Sequence, residues 1–293
     1  MDSPHRPALA SEVVKLLAGK AVVIDATVGA GGHAEALLRS GVGTVLGVDQ
    51  DPSALRIATA RLSEFGGRFR TALSPFSRLA EAAVASGVDR AGGVLFDLGV
   101  SSMQLDDPER GFGYRTSGPL DMRMHQAESG LSAADVVNRY RKEDLTRVIA
   151  EFGEERFARR IARAVVRARE RRPIATTDEL AAIVAGSVPR RRGGPHPARR
   201  TFQALRIEVN GELEELAASL PQAASLLEVG GRLVVLSYHS LEDRIVKRFI
   251  ASEANLLSLS KKPIRASSHE AAENPRARSA RLRAAERVSG AAA

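Results

Sequence analysis

Cysteine and tryptophan are absent from this 293-residue chain, and aromatic residues make up only 4% of it. Without cysteine there is no disulfide and no thiolate ligand for zinc. One chemistry is also excluded outright: substitution at a pyrimidine C5 that begins with a thiolate attacking the ring, because no thiolate exists to attack. So few rings leave at most one or two to grip a base, which argues against extended stacking on a single strand. Long apolar runs are missing as well, none approaching the roughly 18 residues that span a bilayer. The opening Met1-Asp2-Ser3-Pro4-His5-Arg6-Pro7 has no apolar signal-peptide core, so a cytoplasmic location with no membrane partner is expected. The six histidines, at positions 5, 33, 125, 196, 239 and 269, show no close metal-ligand spacing, and no metal site is expected.

What the chain does have is a large apolar complement, 44% hydrophobic with 27% charged residues, enough for a sizeable core and more than one domain. Three segments carry the chemistry. Val22-Val23-Ile24-Asp25 runs into Ala26-Thr27-Val28-Gly29-Ala30-Gly31-Gly32-His33, and it is followed by Val45-Leu46-Gly47-Val48-Asp49 and by Val94-Leu95-Phe96-Asp97. Each is a β-branched, apolar run that ends at an acid or at glycines, as buried parallel strands do where their carboxyl ends open into a ligand crevice. The glycines permit a tight turn and close backbone approach. The helix expected from about His33 to Leu38 would aim its first amides at a ligand. Asp49, 18 residues beyond Gly31, stands where an acid accepts hydrogen bonds from ribose hydroxyls. The glycine turn alone also fits a dinucleotide fold. Asp25, four residues before Gly29, and the third acid Asp97 favour S-adenosylmethionine (SAM) over a nicotinamide cofactor.

The excess charge of +8 is local. Residues 139–200 hold 17 Lys and Arg against 8 Asp and Glu, a balance of +9. Much of it falls on a helical stretch, 154–167, in which Phe157, Ile161, Ala164 and Val165 recur at three-to-four spacing and would face a core, leaving a band of arginines outside. A second cluster, Arg190-Arg191-Arg192 to Arg199-Arg200, reads as a basic loop, and together they suggest a phosphate-binding surface. The next buried strand, Leu233 to Tyr238 after a Gly230-Gly231 turn, follows Asp97 only after about 130 residues. One crossover helix needs a few tens of residues, so a mostly helical domain is inserted at 106–205, between core segments 1–105 and 206–293. Helices are expected at 131–153, 154–171 and 177–185, then a crossover helix at 202–220, a helix at 241–250 started by Ser240 and Asp243, and a last strand at 279–288. The fold class is therefore α/β: a Rossmann-like, doubly wound sheet of the class I SAM-dependent methyltransferases, with an inserted α-helical domain.

At this point the chain resembles the bacterial 16S ribosomal RNA cytosine-N4 methyltransferase family, from His5 to about Val288. The resemblance rests on His5-Arg6-Pro7-Ala8-Leu9, Gly31-Gly32-His33, Asp49-Gln50-Asp51-Pro52 and Asp97-Leu98-Gly99-Val100-Ser101-Ser102-Met103-Gln104-Leu105-Asp106. It continues through Gly118-Pro119-Leu120-Asp121-Met122-Arg123-Met124, Gly153-Glu154-Glu155-Arg156-Phe157-Ala158, Arg200 to Ile207, His239-Ser240-Leu241-Glu242-Asp243-Arg244 and Asn274 to Ser279. The stretch between Ile250 and Glu273 is short for the family, and Arg190 to Pro195 is a local variant. The resemblance implies that Gly31, Gly32, His33, Asp49, Phe76, Asp97 and Gln104 contact SAM, with Phe76 on the adenine face and Gln104, with the Ser101-Ser102 turn, at the methyl-transfer end. It implies a 16S rRNA partner within the small ribosomal subunit and a decoding-centre cytidine as target; monomer and homodimer both remain open.

The implied reaction is in-line methyl transfer to the exocyclic N4 of that cytidine. Its lone pair is conjugated into the ring, so the enzyme must align N4 and hydrogen-bond its hydrogens rather than supply a strong base. Asp97 is the acceptor expected to act in catalysis. The acidic-Pro-Pro-aromatic loop of other N-methyltransferases is replaced here by Asp97-Leu98-Gly99-Val100. Asp106, Asp121, Arg123 and His239 are candidate pocket-wall residues, or structural ion pairs. Two rivals stay open: a nicotinamide-dependent oxidoreductase, distinguished by the cofactor it binds, and a non-catalytic RNA-binding assembly factor, distinguished by lack of turnover.

Overall fold

The computed structural model describes residues 7–126, 130–189 and 194–289. Arg190, Arg191 and Arg192 of the basic loop, and His5 and Arg6 of the first family block, lie outside the described residues. Two compact units are present, one formed by Met1–Gly99 with Leu213–Ala293 and the other by Val100–Glu212. The second begins six residues before, and ends seven after, the 106–205 insert expected from the sequence.

Along the chain, the first unit runs α1 (Ala10–Leu17), β1 (Val22–Asp25), α2 (Gly32–Arg39), β2 (Thr44–Asp49), α3 (Pro52–Arg61), β3 (Phe69–Leu73), α4 (Leu79–Ala85) and β4 (Ala91–Asp97). The second unit holds α5 (Ser102–Asp106), α6 (Ala133–Arg139), α7 (Lys142–Glu151), α8 (Ala158–Arg169), α9 (Thr177–Ser187) and α10 (Arg199–Asn210). The chain then returns through α11 (Glu212–Leu226), β5 (Leu227–Ser237), α12 (Ser240–Ser252), β6 (Leu256–Ser258), α13 (Ser268–Glu273) and β7 (Arg281–Arg287).

The strands form one seven-stranded sheet in the order β3-β2-β1-β4-β5-β7-β6. β1 to β5 are parallel, and β7 inserts antiparallel between β5 and β6. Strand alternation feeds a core on each face. Ile24, Val94, Phe96, Leu233 and Val235 point to one side, against Leu79 and Ala83 of α4, Leu216 and Leu220 of α11, and Val246 of α12. Val23, Leu95, Val234 and Leu236 point to the other, against Val13 and Leu17 of α1, Leu37 and Leu38 of α2, and Ala58 of α3. Burial on both faces explains why these strands read as continuous apolar runs. The second unit has its own core, including Val136, Leu145, Ile149, Ile161, Val165, Leu180, Val184, Phe202 and Leu205.

Several expected boundaries move. The single crossover helix at 202–220 is two helices, because Gly211 takes the left-handed conformation (φ 58°) that terminates α10. The stretch 131–153 likewise divides into α6 and α7 at Tyr140, which is extended. The Gly230-Gly231 pair is not a turn before the strand; it lies inside β5, which begins at Leu227 and carries a register irregularity against β4. The first residue of α12 is Ser240, and its cap is His239, whose ring accepts from the Glu242 amide while Glu242 accepts from the His239 amide. The short β6 had no signal in the sequence.

Candidate functional site

Strand register brings the three acids to one edge of the sheet. Asp25 pairs with Gly47 of β2 and Leu95 of β4, Asp49 pairs with Leu73, and Asp97 pairs with Leu236. All three are the last residues of their strands, and β1 and β4 flank the point where the strand order reverses. That reversal opens a crevice at the carboxyl ends of the strands. The loop after β1 is drawn over β2: Val28 donates to the Val48 carbonyl at 3.0 Å, and a Cβ on Gly47 would meet Val28 Cγ2 at 2.8 Å. Gly31, at φ 79°, turns the chain into α2, and a Cβ there would meet Leu62 Cδ1 at 3.0 Å and Ala58 Cβ at 3.4 Å. Gly32 follows as the first residue of α2.

Asp49 is held by the backbone, accepting from the Gly29 amide at 2.9 Å and from the Asp51 amide at 2.9 Å. An ionised carboxylate has about four lone-pair sites, so acceptor capacity remains. Loss of hydration pushes the Asp49 carboxyl up to about 6, against the pull of those two amides. Asp25, 1% exposed, accepts from the Thr27 amide at 3.3 Å on Oδ1 and from no other group among the described residues. Burial pushes it up to about 7; nearby His33 opposes that rise, and Asp97 and Asp49 add to it.

Asp97 is anchored at three points. Its amide donates to Thr27 Oγ1 at 2.6 Å, its Oδ1 accepts from the Tyr238 hydroxyl at 2.6 Å, and its Oδ2 lies 3.4 Å from His33 Nε2. His33 sits in the first turn of α2, 5% exposed. Burial works to lower its pKa, but the Asp97 carboxylate and the charge of Asp25 outweigh it and raise the imidazole above its ordinary 6.5. Neither ring nitrogen completes a hydrogen bond among the described residues.

Phe76 follows β3 in a single helical turn, with its ring edge-to-face on Phe96 at 6.0 Å. The preceding Ser74 amide donates to the Asp49 carbonyl at 3.0 Å, tying this turn to the end of β2. Gln104 belongs to the second unit, where its side-chain oxygen accepts from the Ser101 amide and its amide donates to Ser101 Oγ, closing a capping box on α5. Asp121 and Arg123 form a bidentate ion pair of 2.8–2.9 Å, which holds the Asp121 carboxyl below its usual range despite the opposing effect of burial. Asp106 ends α5, and the His239 ring stays with its own helix cap. Sequence reasoning missed Thr27 and Tyr238, which strand order alone brings to Asp97.

Three carboxyls at adjoining strand ends, those of Asp25 and Asp49 raised by burial, make a site that a ligand with hydroxyl donors and positive charge would complete. SAM has both, and its ribose fits the residual acceptors of Asp49.

The sequence profile of the MraW methylase family matches residues 2–288. The chain is 53% identical over 291 residues to ribosomal RNA small subunit methyltransferase H of Deinococcus deserti, covering 97% of this chain and 93% of that one. It is 48% identical over 309 residues to the protein of the same name from Acidothermus cellulolyticus, covering 97% and 94%. Among solved structures, an rRNA methylase from Streptococcus thermophilus aligns at 12% identity and a TM-score of 0.44, over 96% and 94% of the two chains. The sheet order and the family profile together define a class I SAM-dependent methyltransferase. Within that class, the chain belongs to the MraW methylase family.

Proposed function

We propose that this protein methylates the exocyclic N4 of a decoding-centre cytidine in 16S rRNA of the small ribosomal subunit. The names of the relatives support rRNA of the small subunit as substrate. The observation that carries the chemistry is the trio Asp25, Asp49 and Asp97 at adjoining strand ends, with Asp97 the one anchored by side chains rather than by backbone amides alone.

SAM would supply, when bound, a methyl group made electrophilic by its sulfonium, the S–C bond breaking as the N4–C bond forms and S-adenosylhomocysteine departing as a neutral thioether. Asp49 holds the ribose hydroxyls, Phe76 packs against adenine, and Gly31 and Gly32 let the backbone approach. Asp97 accepts a hydrogen of the target amine, which turns the N4 lone pair out of conjugation and takes up the proton that becomes acidic once nitrogen has been methylated. His33, within ion-pair distance of Asp97 Oδ2, steadies that carboxylate. A target base has to leave its stack for this chemistry. The second unit serves to grip the RNA backbone: Arg159, Arg160, Arg163 and Arg167 of α8 are exposed and have no ion-pair partner among the described residues, while Ala158, Ile161, Ala162 and Val165 of the same helix are buried.

The test is tritium transfer from methyl-labelled SAM to small subunits from a strain lacking this protein. Incorporation of one methyl group, abolished in Asp49→Ala, is expected; SAM binding without any transfer would favour a non-catalytic assembly factor, and no SAM binding would refute the reading.

A further inference from the structure

Among the described residues Tyr238 is the one side-chain hydroxyl that contacts the carboxylate assigned to the reaction, and nothing in its sequence neighbourhood announced it. It follows the last residue of β5, two positions beyond Leu236, which pairs with Asp97 across the sheet. Its backbone is fixed by the cap of α12, with the amide donating to Glu242 Oε2 at 2.8 Å. Its ring packs into the core cluster that includes Leu236, Ala277 and Leu282. From this anchored frame the hydroxyl reaches Asp97 Oδ1 at 2.6 Å, the length of a charge-assisted O–H···O⁻ bond. Burial, and then the charge of Asp97, raise the phenol well above the ordinary tyrosine range, so it remains a donor at any working pH.

An aspartate carboxyl by itself rotates broadly about its last torsion. Here one oxygen is tied to Tyr238, and the other lies 3.4 Å from buried His33, while the Asp97 side chain keeps a quarter of its surface open. We propose that Tyr238 is a positioning residue for methyl transfer: it locks the Asp97 carboxylate in one rotation and leaves Oδ2 as the oxygen that takes the hydrogen of the reacting amine. This rests on the reading that Asp97 is the acceptor for that hydrogen. Tyr238 itself touches neither substrate nor cofactor in this role, so its removal should disturb the reaction step and spare cofactor binding.

The experiment compares wild type, Tyr238→Phe and Asp97→Asn, as full-length proteins with unmethylated small subunits, measuring kcat and the KM for SAM. The expected result for Tyr238→Phe is a kcat lowered about tenfold, the loss of one hydrogen bond to a charged group, with the KM for SAM within twofold. A kcat within twofold of wild type overturns the proposal while Asp97→Asn still tests the acceptor reading separately. A raised KM with unchanged kcat also overturns it, because Tyr238 would then be a wall of the cofactor pocket. A second readout needs no turnover: with ring-labelled tyrosine, the Tyr238 Cζ resonance, assigned by its loss in Tyr238→Phe, should move in Asp97→Asn. An unmoved resonance shows that the hydrogen bond is absent and overturns the proposal. If wild type and Tyr238→Phe are equally inert toward every cytidine, the reading of the reaction fails, and the assigned role of Tyr238 fails with it.

Discussion

Asp25 and Asp49 illustrate how a binding site is kept at some cost to the empty fold. Both carboxyls are raised, to about 7 and about 6, because burial disfavours their charged forms. A raised acid holds its proton in the folded state after the unfolded chain has released it. Its contribution to stability is complete below the ordinary 3.8 and is lost as pH rises through the folded value. His33, also raised, acts in the same direction. The cofactor-free protein should therefore lose stability between about pH 4 and 7, and Asp25→Asn should flatten that slope and raise the melting temperature at pH 7.5. Thermal unfolding across this range checks it; an unchanged slope in Asp25→Asn would count against the assignment. Asp49, held by backbone amides including those of Gly29 and Asp51, is the proposed acceptor for the ribose hydroxyls. Asp49→Ala should weaken SAM binding about 10- to 100-fold, as expected for one hydrogen bond to a charged group, and titration calorimetry would show whether it does.

At the scale of elements, legibility tracked how local the cause was. β1, β2 and β4 were readable because each is a β-branched run stopped by an acid, and α9 because Thr176 and Glu179 form the capping box their spacing suggests. Gly211 was missed as a break because it sits in an apolar pattern that continues on both sides, and Gly230-Gly231 reads as a turn until the pairing of β5 with β4 is known. The Tyr238 and Thr27 bonds to Asp97 were not legible at all, since each spans a sequence separation that only strand order closes. The turn into α2 gives one element-scale prediction. Gly31→Ala forces a side chain into φ 79° with Leu62 Cδ1 at 3.0 Å, and should cost about 1–2 kcal/mol of stability in urea unfolding. Helix α8 gives another. Its arginines at 160, 163 and 167 fall on one side of the helix, spaced for a run of phosphates. Replacing these three with alanine should make the salt dependence of RNA binding shallower by about 2–3 in the log–log slope, while SAM affinity stays unchanged; an unaltered slope would show that this helix does not bear phosphate.

For the whole molecule, the late arrival of β5 in the sequence revealed that about a hundred residues intervene in an α/β sheet, and two compact units are present. The charge follows this division, since residues 139–200 of the second unit carry the +9 balance. A sheet that presents carboxyls at its strand ends and a helical unit with a row of exposed arginines on α8 are suited to two different ligands, one a small cation and the other a polyanion. The family places the small ligand as SAM; the large one, and the atom that receives the methyl, are the substance of the account. The most direct measurement uses SAM bearing a deuterated methyl group with small ribosomal subunits that lack the modification, followed by nucleoside mass spectrometry. The expected result is a single labelled product, N4-methylcytidine, from 16S rRNA. Label on a ring carbon, on a ribose oxygen or on any other base would contradict it.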